Sequence, residues 1–447
     1  MSARPKVVVV GSGFGGLAAV DRLARLPVDI TLVDRDNYHG FWPLLYQVAS
    51  AELAADDIAT PIRAIQRDRR NVEVRLATVR SVDLDRRVVH LEPGDGPDLP
   101  YDHLIVAAGS STTDFGVPGV AEHAFPLKTL PDAIELRNHL LRTFEQAEAA
   151  AAAGAADGQG ADTTARPPAG PLSIVIVGGG TTGVEMAGAV AELIRHNLAG
   201  DFRRIDVAHA RVVVVEMTDH LLGGFSARSQ AAARATLVAH GVELRLGTAI
   251  ASIDADGVVL RGGERIAAAT VVWTAGVRAN PLADVIARAA GLQPAKGGRL
   301  PVGADLALPG YPEVSVIGDC SGATDRHGRP YPQVAQVAIQ QGRHAARTVG
   351  RRLDGRAARP FRYLDHGSMA TIGRRSAVAE LPGGLVITGT VGWLAWLVVH
   401  LVFLVGSRNR AVVLTNWAWN YLTWDRGARV IVDTDDRAPA PSGSVRA

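Results

Sequence analysis

The feature that most restricts the fold of this chain is a strand–turn–helix pattern that occurs twice. The apolar residues 7–10 run into the turn G-S-G-F-G-G at residues 11–16, and the apolar segment Ile174–Val177 runs into G-G-G-T-T-G at residues 178–183. Each apolar run predicts a buried strand, and each G-x-G-x-x-G turn precedes an amphipathic helix. Glycines at this spacing let the backbone approach a pyrophosphate at the N-terminus of the helix. The repetition therefore predicts an α/β fold with two Rossmann-like dinucleotide-binding domains.

An acidic residue follows the second strand of each unit. Asp34 ends the strand at residues 30–33, and Glu216 follows the apolar run Val212–Val215. A carboxylate at this position accepts a hydrogen bond from a ribose hydroxyl in dinucleotide-binding domains. At Glu216 it also favours NADH over NADPH, because a carboxylate repels a 2′-phosphate. The alternative for both residues is an ordinary exposed carboxylate at the end of a strand.

Three further apolar strands end in residues suited to the floor of a nucleotide site. One ends at A-A-G (residues 107–109) and another at T-A-G (residues 274–276), where small side chains let the chain pass beneath a bound nucleotide. The third, residues 314–317, ends at Gly318-Asp319. We expect the Asp319 carboxylate to hold the ribityl chain of a flavin.

Charge and cysteine content exclude several classes of function. The formal net charge is +2 and no lysine- or arginine-rich run of the nucleic-acid-binding kind occurs, so we expect no nucleic-acid partner. The single cysteine, Cys320, rules out an intramolecular disulfide and a Cys-x-x-Cys pair, and with them enzymes that pass electrons from a flavin to a dithiol. A buried core residue is the preferred interpretation of Cys320, ahead of a reactive thiol. No metal site is expected.

Four segments carry a resemblance to a known family. They are F-W-P-L-L-Y-Q-V-A (residues 41–49), G-G-G-T-T-G-V-E (178–185), A-Q-V-A-I-Q-Q-G (335–342) and G-S-M-A-T-I-G-R (367–374). Together with the paired glycine turns they resemble the type II NADH dehydrogenases. These are single-subunit NADH:quinone oxidoreductases among the two-dinucleotide-binding flavoproteins of glutathione-reductase-like fold. One departure is Thr181, where the family usually carries a proline.

The resemblance implies that an NADH-binding domain is inserted into an FAD-binding domain. Residues 1–144 and 299–355 would form the FAD-binding domain, 172–298 the NADH-binding domain, and 356–447 a membrane-anchoring region. Residues 145–171, rich in Ala, Gly and Pro, are interpreted as a surface linker whose first third could instead extend a helix. The predicted FAD contacts are Gly11, Gly13, Phe14, Gly15, Gly16, Asp34, Arg35, Val79, Ala107, Gly109, Asp319, Ala335 and Gln336. The predicted NADH contacts are Gly178, Gly180, Thr182, Gly183, Glu216 and Gly276.

Three residues are predicted to take part in the reaction. Gln336 and Gln340 lie one helical turn apart, hence on one face, and an amide can donate to a quinone carbonyl without adding a charge to an apolar pocket. The resemblance implies a quinone site there; the alternative is a polar helix face of solvated amides. Glu185 is expected in the first turn of its helix. It either interacts with the helix dipole or, as the resemblance implies, orients NADH or relays a proton near the flavin.

The C-terminal region is predicted to bind a membrane without crossing it. Residues 381–407 contain no charged side chain, but Pro382-Gly383-Gly384 interrupts the beginning and residues 385–388 are expected to form a strand. The remaining residues, 391–405, are fewer than the roughly 20 that a spanning helix needs. Five of the seven tryptophans lie between residues 393 and 424, flanked by arginines, which is typical of helices in one leaflet. A dimerisation surface, buried core helices and a true span are the alternatives.

These features together predict a peripheral, monotopic flavoenzyme on the cytoplasmic face of the cell membrane, with a homodimer as one option for its assembly. It would transfer a hydride from NADH to FAD and electrons on to a membrane quinone, menaquinone or ubiquinone, without pumping ions. The alternatives are a reductase of a soluble protein carrier and a slow-turnover NADH/FAD redox sensor. Sulfide:quinone reductase is disfavoured because it needs cysteines that this chain lacks.

Overall fold

The computed structural model of the protein describes residues 4–156, 172–423 and 427–432, and most of its strands are short. The first half of the strands, in chain order, are β1 (Lys6–Val10), β2 (Asp29–Asp34), β3 (Tyr38–Gly40), β4 (Ala59–Pro61), β5 (Val72–Leu76), β6 (Val79–Asp83), β7 (Val88–Leu91), β8 (Leu99–Pro100), β9 (His103–Val106), β10 (Ser110–Thr112), β11 (Phe125–Pro126) and β12 (Ile174–Val177). The second half are β13 (Val212–Val215), β14 (Glu243–Arg245), β15 (Ile250–Asp254), β16 (Gly257–Leu260), β17 (Arg265–Ala267), β18 (Thr270–Trp273), β19 (Val277–Ala279), β20 (Ala307–Leu308), β21 (Tyr311–Val316), β22 (Ser368–Gly373), β23 (Ser376–Leu381) and β24 (Leu385–Thr388).

Helices connect these strands and close the C-terminal end. They are α1 (Phe14–Leu23), α2 (Leu45–Ala49), α3 (Ile62–Ile65), α4 (Val120–His123), α5 (Leu130–Ala156), α6 (Thr181–Glu192), α7 (Ala227–Ala239), α8 (Pro281–Ala289), α9 (Ala335–Leu353), α10 (Gly389–Phe403) and α11 (Ser407–Thr423). Helix α5 includes the Ala-rich residues as far as 156. The rest of the predicted linker, 157–171, lies outside the described residues.

The first glycine turn lies at the centre of a six-stranded sheet with the order β20-β21-β9-β1-β2-β5. All pairs are parallel except β20 with β21 at one edge. Strand β1 is buried on both faces, because alternate side chains point to opposite sides of a sheet. Val7 and Val9 pack with α1 and α9, whereas Val8 and Val10 pack toward the antiparallel strands β6 and β7. This packing holds the turn at the carboxyl edge of the sheet.

The second glycine turn occupies the same position in a five-stranded parallel sheet, β11-β18-β12-β13-β14. Ile174 and Ile176 of β12 face a core that includes α5 and α6. Val175 and Val177 face the antiparallel sheet β15-β16-β17. The predicted α/β fold with two Rossmann-like units is therefore confirmed.

The chain passes between the two sheets through an antiparallel pair of strands, β10 with β19. Strand β11 already belongs to the second sheet, and α8 returns to the core of the first. The structure thus places the changes of sheet between β10 and β11 and after β18. The domain boundaries at residues 144 and 298 remain predictions.

The C-terminal region consists of the antiparallel sheet β22-β23-β24 followed by α10 and α11, so the strand expected at residues 385–388 is present. Strand β22 lies directly on α6, where a Cβ at Gly188 would overlap the carbonyl oxygen of Ile372. Helix α11 is fastened to the first domain by its amides: Asn409 donates to the carbonyl of Asp57 at 3.2 Å, and Asn416 donates to the Asp57 carboxylate at 3.0 Å. Within the described ranges, no helix combines the length and the apolar character needed to cross a membrane.

Candidate active site

The two glycine turns have the same internal geometry. A Cβ on Gly16 would overlap the carbonyl oxygen of Gly11, and a Cβ on Gly183 would overlap that of Gly178. Gly11 and Gly178 themselves have left-handed backbones, with φ of 99° and 111°. Only glycine meets both requirements without strain, so each helix can begin directly against the preceding strand.

The strand-end acids hold the glycine turns in the same way. The Asp34 carboxylate accepts hydrogen bonds from the backbone N–H of Ser12 at 2.5 Å and from its hydroxyl at 2.6 Å. At the equivalent position, the Glu216 carboxylate accepts from the backbone N–H of Gly179 at 2.6 Å. Its other oxygen accepts from the N–H of Thr218 at 2.8 Å. Each acid thus fixes the second residue of its turn at the edge where a dinucleotide would bind.

Both turns fit a pyrophosphate. A Cβ on Gly13 or Gly180, the middle glycine of each turn, would meet no atom within 4 Å, so space is open at this point. Helix α1 begins at Phe14 and α6 at Thr181, directly before Thr182, and neither helix carries an acidic residue in its first turn. The positive ends of the two helices therefore face the open space, with no acidic side chain of their own first turns beside it.

The floor of the first site is formed by the ends of β9 and β21. Ala107 lies against Gly11, and Gly109 has a left-handed backbone with φ of 71°. The Asp319 carboxylate accepts from the Ser110 hydroxyl at 2.5 Å and lies 3.7 Å from Nζ of Lys128. The structure therefore groups Asp319 with Ser110 and Lys128, which no sequence signal identified, at the edge of the first sheet. The contact of Asp319 with a flavin ribityl chain stays a prediction.

The thiol next to this acid is not reactive. Cys320 is fully buried, and its thiol donates to the carbonyl of Ile317 at 3.2 Å. Burial raises the pKa of the Cys320 thiol to about 12, so the thiolate that reacts with disulfides is disfavoured. The structure agrees with Cys320 as a core residue.

The remaining predicted contacts, whose roles stay predictions, differ in burial and in position. Arg35 is exposed, with its Nε 3.7 Å from the Asp36 carboxylate. Val79 is half-buried in β6, and Ala335 is the first residue of α9. At the second site Gly276 follows the end of β18, where Ala275 would lie 2.9 Å from a Cβ on Gly178.

The side-chain amides of Gln336 and Gln340 in α9 bind backbone groups of residues 364–367. The Gln336 amide donates to the carbonyl of Gly367 at 2.8 Å and accepts from the N–H of His366 at 3.2 Å. The Gln340 amide donates to the carbonyl of Leu364 at 2.7 Å and accepts from its N–H at 2.9 Å. The pair therefore clamps residues 364–367 against the helix. An amide nitrogen carries two N–H groups, and the clamp uses one from each glutamine.

Glu185 is buried between α6 and β22. Because α6 begins at Thr181, Glu185 lies beyond the first turn, and the expected interaction with the helix dipole is wrong. Burial raises the pKa of the Glu185 carboxyl well above its ordinary value, although the N–H of Thr371, 3.4 Å away, partly opposes the shift. The neutral acid is thus favoured, and a neutral acid can donate a hydrogen bond.

Gln47, which links Tyr46 to Trp417, was not among the residues predicted from the sequence. An amide within the otherwise apolar segment 41–49 was the available signal. Gln47 is 2% exposed. Its amide donates to the Tyr46 hydroxyl at 3.0 Å and accepts from the indole N–H of Trp417 at 3.0 Å. Burial raises the pKa of Tyr46 well above its ordinary value. A polar connection thus leads from α11 to the side chains near Glu185.

The prediction that the tryptophans meet a lipid surface is wrong for most of them. Trp393, Trp396 and Trp417 are only 9%, 1% and 2% exposed, because they fill the core between α10, α11 and the first domain. Trp419 is 59% exposed, and Trp424 lies outside the described residues.

Mainly aliphatic side chains, together with Phe403 and Trp419, are exposed on α10 and α11 instead. The residues of this C-terminal apolar surface are each at least half exposed: Val391, Leu394, Val398, Val402, Phe403, Leu414, Trp419 and Leu422. Eight exposed large apolar side chains on two consecutive helices are more than a soluble monomer usually shows, and such surfaces commonly contact a partner or a membrane.

Comparisons with known proteins agree with this geometry. Residues 5–342 match the family of pyridine nucleotide-disulphide oxidoreductases, and residues 366–424 match the NDH2 C-terminal domain. The type II NADH:quinone oxidoreductases Ndh and NdhA of Mycobacterium tuberculosis are each 40% identical to this chain, over 96% of this chain and 91% and 90% of theirs. The structure of NDH2 from Plasmodium falciparum in complex with NADH has a TM-score of 0.83 and 18% identity, covering 96% of this chain and 100% of that one. The chain therefore belongs to the type II NADH:quinone oxidoreductases, the family that its motifs predicted.

Proposed function

We propose that this chain oxidises NADH at the second glycine turn and reduces a membrane quinone, with FAD held at the first. The observation that carries the proposal is the matched pair of turns, each with an open middle glycine and an acid bonded to its second residue. Bound FAD supplies the two-electron chemistry that links a hydride donor to a quinone. The protein sets the distance and orientation of the partners.

The quinone head group is proposed to bind near the N-terminal end of α9. This end lies beside the first turn, since a Cβ on Gly15 would be 3.2 Å from the carbonyl oxygen of Ala338. The second N–H of Gln336 and of Gln340 is the donor proposed for a quinone carbonyl, and the neutral Glu185 acid is proposed as a proton source or a positioning group. The buried Cys320 offers no thiol route for the electrons.

The C-terminal apolar surface is proposed to enter one leaflet of the bilayer. Full burial of an exposed aliphatic side chain gains roughly 1.5–3 kcal/mol, and these side chains, most of them just over half exposed, would each gain roughly 1–2 kcal/mol. A quinone dissolved in lipid would reach the site from this side. NADH is a cytoplasmic substrate, so the enzyme is placed on the cytoplasmic face of the membrane. A homodimer is the competing use of the same surface.

Anaerobic titration of the purified, FAD-loaded protein tests donor and acceptor together. NADH should bleach the flavin absorbance, and addition of menaquinone or ubiquinone should restore it. Recovery with a soluble protein carrier but with neither quinone would favour a carrier reductase. NADH oxidation that quinone does not accelerate would favour a redox sensor.

The quinone site is tested with Gln336→Ala, compared with Gln230→Ala. Gln230 of α7 also donates its amide to a backbone carbonyl, that of Phe225 at 2.9 Å, but lies in the second domain. Gln336→Ala should slow reoxidation by quinone while NADH still reduces the flavin at the normal rate, and Gln230→Ala should change neither. Unaltered quinone kinetics in Gln336→Ala would remove this residue from the site.

Membrane binding is tested by flotation with vesicles that contain anionic lipid. Val398→Asp, which introduces a charge into the C-terminal apolar surface, should release the protein from vesicles. Leu76→Asp is the matched control, because Leu76 is 54% exposed on the first domain. A Val398→Asp protein that still floats with vesicles but no longer dimerises would assign the surface to self-association.

A further inference from the structure

One exposed aromatic side chain near the second site has an unusual backbone. Phe115 has a left-handed φ of 52°, which bulky L-residues rarely adopt, and its side chain is 66% exposed. Neither packing nor backbone preference explains an aromatic ring in this position. Strained non-glycine residues of this kind concentrate at functional sites.

The segment that carries Phe115 is fixed to the end of β18. The N–H of Thr113 donates to the carbonyl of Gly276 at 3.2 Å, and the indole N–H of Trp273 donates to the carbonyl of Thr113 at 2.8 Å. The Phe115 ring rests on Gly276, where any Cβ would overlap it. The backbone that leads into Phe115 is therefore fixed, and its ring lies over Gly276 while most of it stays exposed to solvent.

The order of strands indicates which half of a dinucleotide would meet this ring. Strand β12, with the glycine turn, lies between β13 and β18. Glu216 follows β13, and the Phe115 ring lies at the end of β18. A dinucleotide with its pyrophosphate on the turn and its adenosine ribose at Glu216 extends its other half over β18. In NADH, that half carries the nicotinamide ring.

We propose that Phe115 positions the nicotinamide ring of NADH, forming an aromatic wall against which the planar ring stacks. The inference rests on the proposed binding of NADH at the second turn. Aromatic rings in offset-stacked contact attract each other beyond simple burial. Loss of this contact should weaken nicotinamide binding by roughly three- to tenfold.

The test compares two ligands that differ in the nicotinamide. Isothermal titration of the oxidised, FAD-loaded protein measures the dissociation constants of NAD⁺ and of ADP-ribose, which lacks nicotinamide. Phe115→Ala should raise the constant for NAD⁺ by roughly three- to tenfold and leave that for ADP-ribose unchanged. It should also raise KM for NADH while leaving the quinone KM unaltered. Phe115→Tyr, which retains the ring, should resemble the wild type.

Two further variants separate the ring from the backbone and from general effects. Phe115→Gly removes the ring and the backbone strain, and should reproduce Phe115→Ala. Met217→Ala, at the adenosine end and 69% exposed, should change the constants for both ligands by one common factor. Equal changes for both ligands in Phe115→Ala, or no change in either, would overturn the assignment. A wild-type protein that binds neither ligand would overturn the proposed function and this inference with it.

Discussion

Helices α1 and α9 meet through their backbones, and one glycine makes this contact possible. A Cβ on Gly342 of α9 would overlap the carbonyl oxygen of Gly15 and lie only 3.0 Å from its carbonyl carbon and 3.1 Å from the nitrogen of Ala19. All three atoms belong to the backbone of α1, so no side chain can turn aside. We predict that Gly342→Ala forces the two helices apart and displaces the first glycine turn, of which Gly15 is a member.

The same helix offers a matched control at Gly350. A Cβ there would meet the side chain of Leu26 at 3.2 Å, and a leucine tip can move by a few tenths of an ångström. Glycine to alanine within a helix stabilises by up to about 1 kcal/mol, whereas overpacking typically costs about 1–3 kcal/mol. Gly350→Ala should therefore gain up to about 1 kcal/mol. For Gly342→Ala the overpacking cost should reach the upper end of its range, about 3 kcal/mol, because the contact is with rigid backbone. The helix gain of about 1 kcal/mol offsets part of it, so the free energy of unfolding should fall by about 2 kcal/mol.

Thermal unfolding of the FAD-loaded proteins measures the difference. At about 2–4 °C per kcal/mol for a domain of this size, the two variants should differ in Tm by roughly 6–12 °C. FAD should also dissociate faster from Gly342→Ala, because the turn that holds its pyrophosphate moves with α1. Equal Tm values and equal FAD retention in the two variants would refute the argument from backbone contact.

Three further predictions concern Glu216 at the second site, His400, a histidine buried in α10, and the hydrogen bond between Trp417 and Gln47. Glu216→Gln should raise KM for NADH in steady-state assays, because the one amide oxygen cannot accept from both Gly179 and Thr218. It should also weaken discrimination against NADPH, because the charge that repels a 2′-phosphate is lost; an unchanged ratio of kcat/KM for NADH and NADPH would contradict this role. Burial lowers the pKa of His400 from 6.5 to about 4, so as pH falls the unfolded chain takes up a proton at this histidine before the folded chain does. Stability should therefore fall between about pH 6.5 and pH 4, by up to about 3 kcal/mol. The Tm of His400→Leu should fall less than that of the wild type between pH 7 and pH 5, and equal decreases would show that His400 is not responsible. Trp417→Phe should destabilise the protein by about 1–3 kcal/mol, because it leaves the buried Gln47 oxygen without its donor. Trp419→Phe, at an exposed position, should leave Tm unchanged. Equal changes in Tm for the two variants would show that this hydrogen bond does not contribute to stability.

Much of the site could be predicted from the sequence because it depends on short-range patterns. The glycine spacing, the strand that precedes it and the acid after the next strand are local features, and each requires a definite backbone geometry. The parallel sheets follow from the alternation of strands and helices. Even the overlap that a Cβ on Gly16 would make with the carbonyl oxygen of Gly11 arises within one turn.

The environment of the predicted residues could not be derived in the same way. The amides of Gln336 and Gln340 are bonded to residues 364–367, beyond the end of their own helix. A helix that begins after the last glycine puts Glu185 in its first turn, whereas α6 begins at Thr181. The sequence predicts Asp319 but not its partners Ser110 and Lys128, which come from distant parts of the chain.

Local sequence patterns were enough to predict two dinucleotide-binding units and the acid beside each glycine turn, and the single cysteine excluded a thiol pair. The buried face of α10 and α11 could be read only from the folded chain, since their tryptophans suit a lipid interface and a protein core equally well. Trp417 can be buried without an unpaired donor because Gln47, 370 residues earlier, accepts its indole N–H. Mainly aliphatic side chains remain exposed on the other face. The physical reason is that backbone geometry depends on neighbours in the chain, whereas burial depends on residues that meet only when the whole chain has folded.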